Sequence, residues 1–269
     1  MTTTQTAELA CLDGAVTPAA EAMIPVVDEG FIRGDGVFEV IRVYDGRPDK
    51  LTEHLDRIER SAANLRLGWD VPRAELEQEA GELLAERGGS EFDGALRMVL
   101  TRGGRRLLLT EQVKPQPEGG IRVGFVTFAP TRILDGVKSL SYASNMLATR
   151  LAQERGFDEA LLVTPHGRVL EGPTSSLFWV DDRGELCTPP LEDHILASIT
   201  RQRVIALTGV REAHATTDDI LGAREAFLAS TLREVGPIRA VEDRDLGEPG
   251  ERTREAAALL REDVRSSLA

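Results

Sequence analysis

Tight-turn signals set between apolar runs constrain this chain most. Asp13 and Gly14 follow "ELACL", Asp45 and Gly46 follow "GVFEVIRVY", and His166 and Gly167 separate "EALLVTP" from "RVLEG". A further turn at residues 181–184 closes "SSLFWV". An Asp-Gly pair between apolar runs marks a hairpin, because both residues tolerate the positive φ that its turn demands. "ALRMVLTRG", "IRVGFVTFAP", "AFLAST" and "PIRAVED" add further strand runs. The strands outnumber the connections that a doubly wound sheet would need, so the sheets are expected to be largely antiparallel.

Helices alternate with these runs. "LTEHLDRIERSAANLRL" carries Leu51, Leu55, Ile58, Ala62 and Leu65 at helical spacing, with Thr52 as its expected N-cap. "RAELEQEAGELLAERGG" follows Pro72 and stops at Gly88. "ASNMLATRLAQERG", "ITRQRVIALTG" and "ERTREAAALLREDVRSS" complete the set. The expected architecture is α+β in two domains: a smaller N-terminal domain over 1–128, a linker over 129–135, and a larger, mostly antiparallel C-terminal domain over 136–269.

Composition narrows the partners. A formal net charge of −13 argues against nucleic acid, whose phosphates call for concentrated Lys and Arg. No apolar run approaches membrane-spanning length, and the first residues lack a secretory pattern, so the expected location is the cytoplasm. Cys11 and Cys187 stand alone and read as reduced thiols. The four histidines lack ligand spacing, and no metal site is expected. GxSxG, HExxH and Walker A patterns are absent, and "RGDGVFE" lacks the third glycine of a dinucleotide fingerprint. "TRGGRR" reads either as a solvated turn or as an anion-recognition loop.

Of the 32 Lys and Arg residues, only Lys50, Lys114 and Lys138 are lysines. Lys138 sits in "GVKSLSYASN", among small, apolar and hydroxyl-bearing residues. Desolvation frees a lysine amine to attack a carbonyl, a role a permanently protonated guanidinium cannot take. A lysine snorkelling from a strand edge is the alternative. Company sharpens the first reading. Glu171 ends "RVLEG", a place for an anionic partner to a pyridinium nitrogen. Ser198, Ile199 and Thr200 open a helix, whose free N–H groups and dipole suit phosphate. Ser230 and Thr231 end a strand and offer more donors.

At these segments, from "DEGFIRGDGVFEVIRVYDG" to "STLREVGPI", the chain resembles the class IV aminotransferases, the fold-type IV pyridoxal-phosphate enzymes. These include branched-chain and D-amino-acid aminotransferases and aminodeoxychorismate lyases. The resemblance implies pyridoxal 5'-phosphate as cofactor, lying between the two domains, and a homodimer in which the neighbouring subunit lends part of the substrate pocket. It implies Lys138 as Schiff-base lysine and proton shuttle, Glu171 as partner of the ring nitrogen, and Tyr142 as partner of the phenolic oxygen. Arg57, with Ile199, Thr200 and Thr231, would hold the phosphate; a surface charge on an amphipathic helix is the alternative for Arg57. Ser198 replaces the usual glycine before the Ile-Thr pair, so that turn is expected to differ slightly. The backbone at Thr231 and Leu232 would face the substrate carboxylate.

The resemblance leaves two reactions. "GDGVFEVIRVYDG", Tyr142 and "STLREVGPI" lean toward transamination between an amino acid of branched-chain or D-amino-acid type and a 2-oxo acid. "LRMVLTRGG" is similar to the lyases that eliminate pyruvate from 4-amino-4-deoxychorismate, whereas "GRRLLLTEQ" replaces their glycine- and aromatic-rich loop. Candidate substrate-pocket residues are Phe31, Arg33, Phe38, Val40, Arg42, Arg97 and Arg102. A relative that only binds a phosphorylated ligand would be expected to have lost the lysine or the glutamate. A purely structural dimer would leave the clustered phosphate donors without a purpose.

Overall fold

The structure, a computed structural model, describes residues 8–68 and 70–268. It divides into two compact units. One runs up to Lys114 and takes in Gly136–Ser141; the other holds Pro115–Asp135 and Tyr142–Ser267.

The first unit contains strands β1 (Leu9–Leu12), β2 (Ala15–Pro18), β3 (Gly36–Tyr44), β4 (Arg47–Pro48), β5 (Gly94–Thr101) and β6 (Arg106–Glu111). Its helices are α1 (Glu29–Arg33), α2 (Leu51–Asn64) and α3 (Arg73–Arg87). The strands form one sheet in the order β2-β1-β6-β5-β3-β4, antiparallel throughout. Alternation along β3 sends Val37, Ile41 and Val43 into the core with Leu55, Ile58 and Ala62 of α2 and Leu76 and Leu83 of α3. The Asp13-Gly14 and Asp45-Gly46 hairpins form as expected, with Asp13 and Asp45 both at positive φ. One expectation fails locally. Thr52 is not the N-cap of α2: the return strand β4 leaves only Asp49 and Lys50 before the helix, and Lys50 makes the corner at φ 56°. "GRRLLLTEQ", which stands in place of the lyases' loop, supplies β6, and its apolar run pairs with both β1 and β5.

The second unit contains β7 (Ile121–Thr127), β8 (Glu159–Val163), β9 (Arg168–Val169), β10 (Ser176–Val180), β11 (Leu186–Thr188), β12 (Arg211–Glu212), β13 (Ala215–Thr216), β14 (Glu225–Ser230), β15 (Glu234–Val241) and β16 (Arg244–Asp245). Its helices are α4 (Ala143–Glu154), α5 (Ile199–Thr208), α6 (Thr217–Leu221) and α7 (Glu251–Leu268). The sheet runs β12-β11-β10-β14-β15-β7-β8-β9-β13, with β16 paired to β15. Most pairs are antiparallel, but β7 lies parallel to both β8 and β15, and β11 parallel to β12. Both units mix helices with mainly antiparallel strands, which is the α+β class.

The units do not divide at 129–135. β7, expected in the first domain, is hydrogen-bonded into the second unit's sheet, and Gly136–Ser141 belongs to the first unit. Parallel pairing through β7 links residues distant in sequence, which no local turn signal announces. Among the described residues, no helix is long and apolar enough to cross a membrane.

Candidate active site

Lys138 is placed by its backbone. The segment Gly136–Ser141 runs along the start of β3, with Val37 opposite Ser139. Phe38 N–H donates to the Lys138 carbonyl at 3.0 Å, and Leu140 N–H donates to the Gly36 carbonyl at 2.9 Å. From the other side, Lys138 N–H donates to Ser61 Oγ of α2 at 3.1 Å. The half-buried side chain brings Nζ to 4.3 Å from the centroid of the buried Phe38 ring. Gly36 must be a glycine here, since a Cβ would meet the Leu100 carbonyl oxygen at 2.4 Å and Leu140 Cδ1 at 2.6 Å.

The same strand and helix hold Arg57. It is 5% exposed, so it is not a surface charge. Its Nε and Nη2 donate to the two carboxylate oxygens of Glu39, both at 2.6 Å. Glu39 Oε2 also lies 2.7 Å from Nδ1 of His54, which is likewise buried. Burial alone would push the Glu39 carboxyl up; hydrogen bonds from Arg57 and His54 outweigh it and hold the group at about 2.

The expected pocket residues separate. Phe38 meets Arg97, whose guanidinium carbon stands 5.6 Å from the ring centroid and whose Nε and Nη2 donate to Glu111 at 2.6 and 3.0 Å. Val40 lies opposite Arg97 in the β3–β5 register. Arg42 is not with them: it donates to the carbonyls of Val43 and Gly94 and to Asp93, and lies over Tyr44. Arg102 pairs with Asp35 and donates to the carbonyls of Leu65 and Arg66 at 2.9 Å, closing the end of α2. Arg105 and Arg106 pair with Asp13 and Glu79, so the "TRGGRR" cations are all bound to groups of their own unit. Phe31 and Arg33 project from α1, Phe31 at 73% exposure and Arg33 beside Glu29.

In the second unit a second set forms around residues 171–176. Glu171 follows β9, and its backbone carbonyl accepts from Leu162 N–H at 2.9 Å. Its Oε1 accepts from Leu196 N–H at 3.1 Å. Tyr142, at the N-cap of α4, donates its hydroxyl to the Pro173 carbonyl at 2.7 Å, and Asn145 Nδ2 donates to the same oxygen at 2.9 Å. Ser198 caps α5, its Oγ accepting from Arg201 N–H at 3.2 Å. At φ −72° Ser198 needs no glycine, which explains why serine serves there. The Ile199 and Thr200 amides precede the first intrahelical bond, Gln202 N–H to the Ser198 carbonyl at 3.1 Å. Thr231 and Leu232 form the head of the β14–β15 turn, where Ser230 pairs with Glu234 and Arg233 N–H donates to Ser230 Oγ at 3.3 Å.

Residues 36–241 match the sequence pattern of the family described as amino-transferase class IV. The chain belongs to that family. It is similar to a D-alanine aminotransferase of Bacillus licheniformis, 32% identical over 96% of this chain and 97% of the relative. It is also similar to an aminodeoxychorismate lyase of Bacillus subtilis, 26% identical over 96% of this chain and 95% of that one. Among solved structures, a branched-chain aminotransferase from Thermoproteus uzoniensis superposes with a TM-score of 0.86 at 29% identity, covering 96% of this chain and 95% of that chain. The fold is that of the fold-type IV transaminases, and the class IV family makes this chain an enzyme.

Several residues that shape this class IV chain escaped the sequence reading. Glu39 and His54 left a signal: each interrupts an apolar face, Glu39 between Val37 and Ile41, His54 beside Leu55 and Ile58. Asp193 left none. It is buried, accepts from Arg168 Nη1 at 2.9 Å and lies 3.0 Å from His214 Nδ1, holding the loop 191–198. His194 Nδ1, in the same loop, lies 2.6 Å from Asp135 Oδ2. That loop supplies both the Leu196 amide and the Ser198 cap, but its fastenings come from β9 and from residues 135 and 214.

Proposed function

We propose that this class IV protein is a pyridoxal-phosphate-dependent aminotransferase, moving an amino group between an amino acid of branched-chain or D-amino-acid type and a 2-oxo acid. The observation that carries the reading is Lys138, the one lysine of three whose backbone is tied to both β3 and α2, with Nζ against Phe38. The donor set fits the cofactor: an amine, a carboxylate with a backbone N–H on it, a phenol, and a capped helix N-terminus followed by a threonine.

When bound, the pyridoxal ring supplies an electron sink for the pair left at the substrate α-carbon. Lys138 Nζ takes the α-proton. Glu171, with Leu196 N–H favouring its charged form, pairs with the ring nitrogen. Arg57, the Ile199 and Thr200 amides and the hydroxyls of Thr200 and Thr231 hold the phosphate. Tyr142 would orient the ring's phenolic oxygen by turning the hydroxyl proton it gives to the Pro173 carbonyl toward that oxygen, since a phenol has one proton to donate. The Thr231 and Leu232 amides receive the substrate carboxylate.

The lyase reading keeps the same lysine, glutamate and phosphate donors, so the pocket arginines separate the two. Two carboxylates on a substrate call for guanidinium groups able to take them. Arg97 is already forked onto Glu111, and Arg102 is engaged by Asp35 and the carbonyls of Leu65 and Arg66, which favours transamination of a substrate with an apolar side chain beside Phe38 and Val40. The deciding experiment offers D- and L-amino donors with 2-oxoglutarate or pyruvate, beside aminodeoxychorismate. Donor-dependent formation of a new amino acid is expected. Release of 4-aminobenzoate without donor turnover would establish the lyase instead.

The protein works as a homodimer, a reading supported by large apolar side chains left in solvent. Met23, Val26, Val27, Phe31 and Ile32 are 82%, 76%, 74%, 73% and 55% exposed within ten residues of sequence.

A further inference from the structure

We infer that Glu39 is a positioning residue, which sets the phosphate-binding edge of Arg57 in register with the amine of Lys138. The inference rests on the cofactor assignment proposed above and names a residue to which nothing else assigns a role.

The geometry closes a ring of contacts inside the first unit. Phe38 N–H holds the Lys138 carbonyl, and the next residue of β3, Glu39, holds Arg57. On α2, Ser61 takes the Lys138 N–H, and Arg57 lies one helical turn before it. Adjacent residues of one strand and residues four apart on one helix thus grip the amine anchor and the phosphate anchor together. Displacing either anchor requires β3 and α2 to slip against each other.

The carboxylate does more than neutralise. Two parallel N–H···O bonds fix the plane of a guanidinium, whereas a single contact would let it rotate. Glu39 takes the Nε and Nη2 edge of the fork with one carboxylate oxygen on each nitrogen. His54 Nδ1 at 2.7 Å from Oε2 prevents the carboxylate from swinging in turn. The three groups are buried, at 0% for Glu39, 1% for His54 and 5% for Arg57, so water does not substitute for any of these bonds. An unaided arginine on the apolar face of α2 would sample several rotamers; this one is held in one.

The test compares two ligands on the apo-protein: pyridoxal 5'-phosphate and pyridoxal, which lacks the phosphate. Glu39→Asp keeps the charge but withdraws the carboxylate by one methylene; Glu39→Gln keeps the length but removes the charge. Both are titrated beside wild type by visible absorbance, with folding checked by circular dichroism. A lost charged hydrogen bond corresponds to about 10- to 100-fold in affinity. The expected result in Glu39→Asp is a loss of that size for pyridoxal phosphate and none for pyridoxal, because the variant keeps the buried charge while its shortened carboxylate gives up part of the two-bond grip on Arg57. Unchanged phosphate affinity in folded Glu39→Asp would overturn the inference while leaving the cofactor assignment standing. An equal loss for both ligands would also overturn it, because it would mark a packing role only. Failure of wild type to take up either ligand would remove the cofactor assignment and this inference with it.

Discussion

Lys138 owes its position to peptide groups, not to its side chain, and this separates its chemistry from its folding role. Its N–H and C=O bonds to Ser61 and Phe38 survive any change beyond Cβ. Lys138→Ala is therefore expected to fold with little change in urea midpoint. It should lose borohydride-stable attachment of pyridoxal phosphate, and turnover should fall by at least about 100-fold, the scale of a missing acid–base group. Attachment persisting in that variant would move the assignment to Lys50 or Lys114. Lys138→Arg should retain a cation over Phe38 yet fail the same trapping, because a guanidinium does not deprotonate to a nucleophile. That a lysine belongs here was legible in the sequence, from the scarcity of lysine and its apolar neighbours. That Phe38 faces it, and that Arg42 does not, followed only from the register of β3.

At the scale of elements, the loop 191–198 joins two duties. It offers Leu196 N–H to Glu171 and Ser198 to the start of α5, and Asp193 pins it to Arg168 and His214. Asp193→Ala removes a buried acceptor from two donors. It is expected to cost about 1–3 kcal/mol in urea unfolding of the apo-protein. It should also quicken cofactor dissociation from the holo-protein; an unchanged off-rate would show that the loop holds its form without that anchor. The helices and hairpins themselves were readable, since period and turn chemistry are local. The fastening of this loop was not, because β9 and β13 pair across almost 50 residues of chain and bring Arg168 and His214 to Asp193.

At the scale of the whole molecule, acid stability reports on Glu39. Its carboxyl is held at about 2 against an ordinary 4.5. A group depressed in the folded state contributes its full stability above the unfolded value and loses it as pH falls through the folded one. The contribution, about 3 kcal/mol at most, is therefore present above pH 4.5 and is lost as pH falls from there toward 2. Urea midpoints measured across that window should fall more steeply in wild type than in Glu39→Gln; parallel curves would refute the assignment. Assembly is tested separately. Light scattering is expected to give twice the chain mass for wild type, and the chain mass for Phe31→Glu combined with Val27→Glu. A monomeric wild type would remove the homodimer.

By itself the sequence determined which elements form, the two-part α+β class and the residue types on which the proposed pyridoxal-phosphate site rests. Apolar period, Asp-Gly turns and helix ends act over a few residues, and Lys138, Glu171 and the start of α5 each lie in such a local pattern. Only the tertiary structure decided where β7 belongs, which arginines are already paired, and that Arg57 is buried on Glu39. Those outcomes depend on which face of a strand or helix meets which partner, and a shift of one residue along β3 would exchange Phe38 for Glu39 at the lysine.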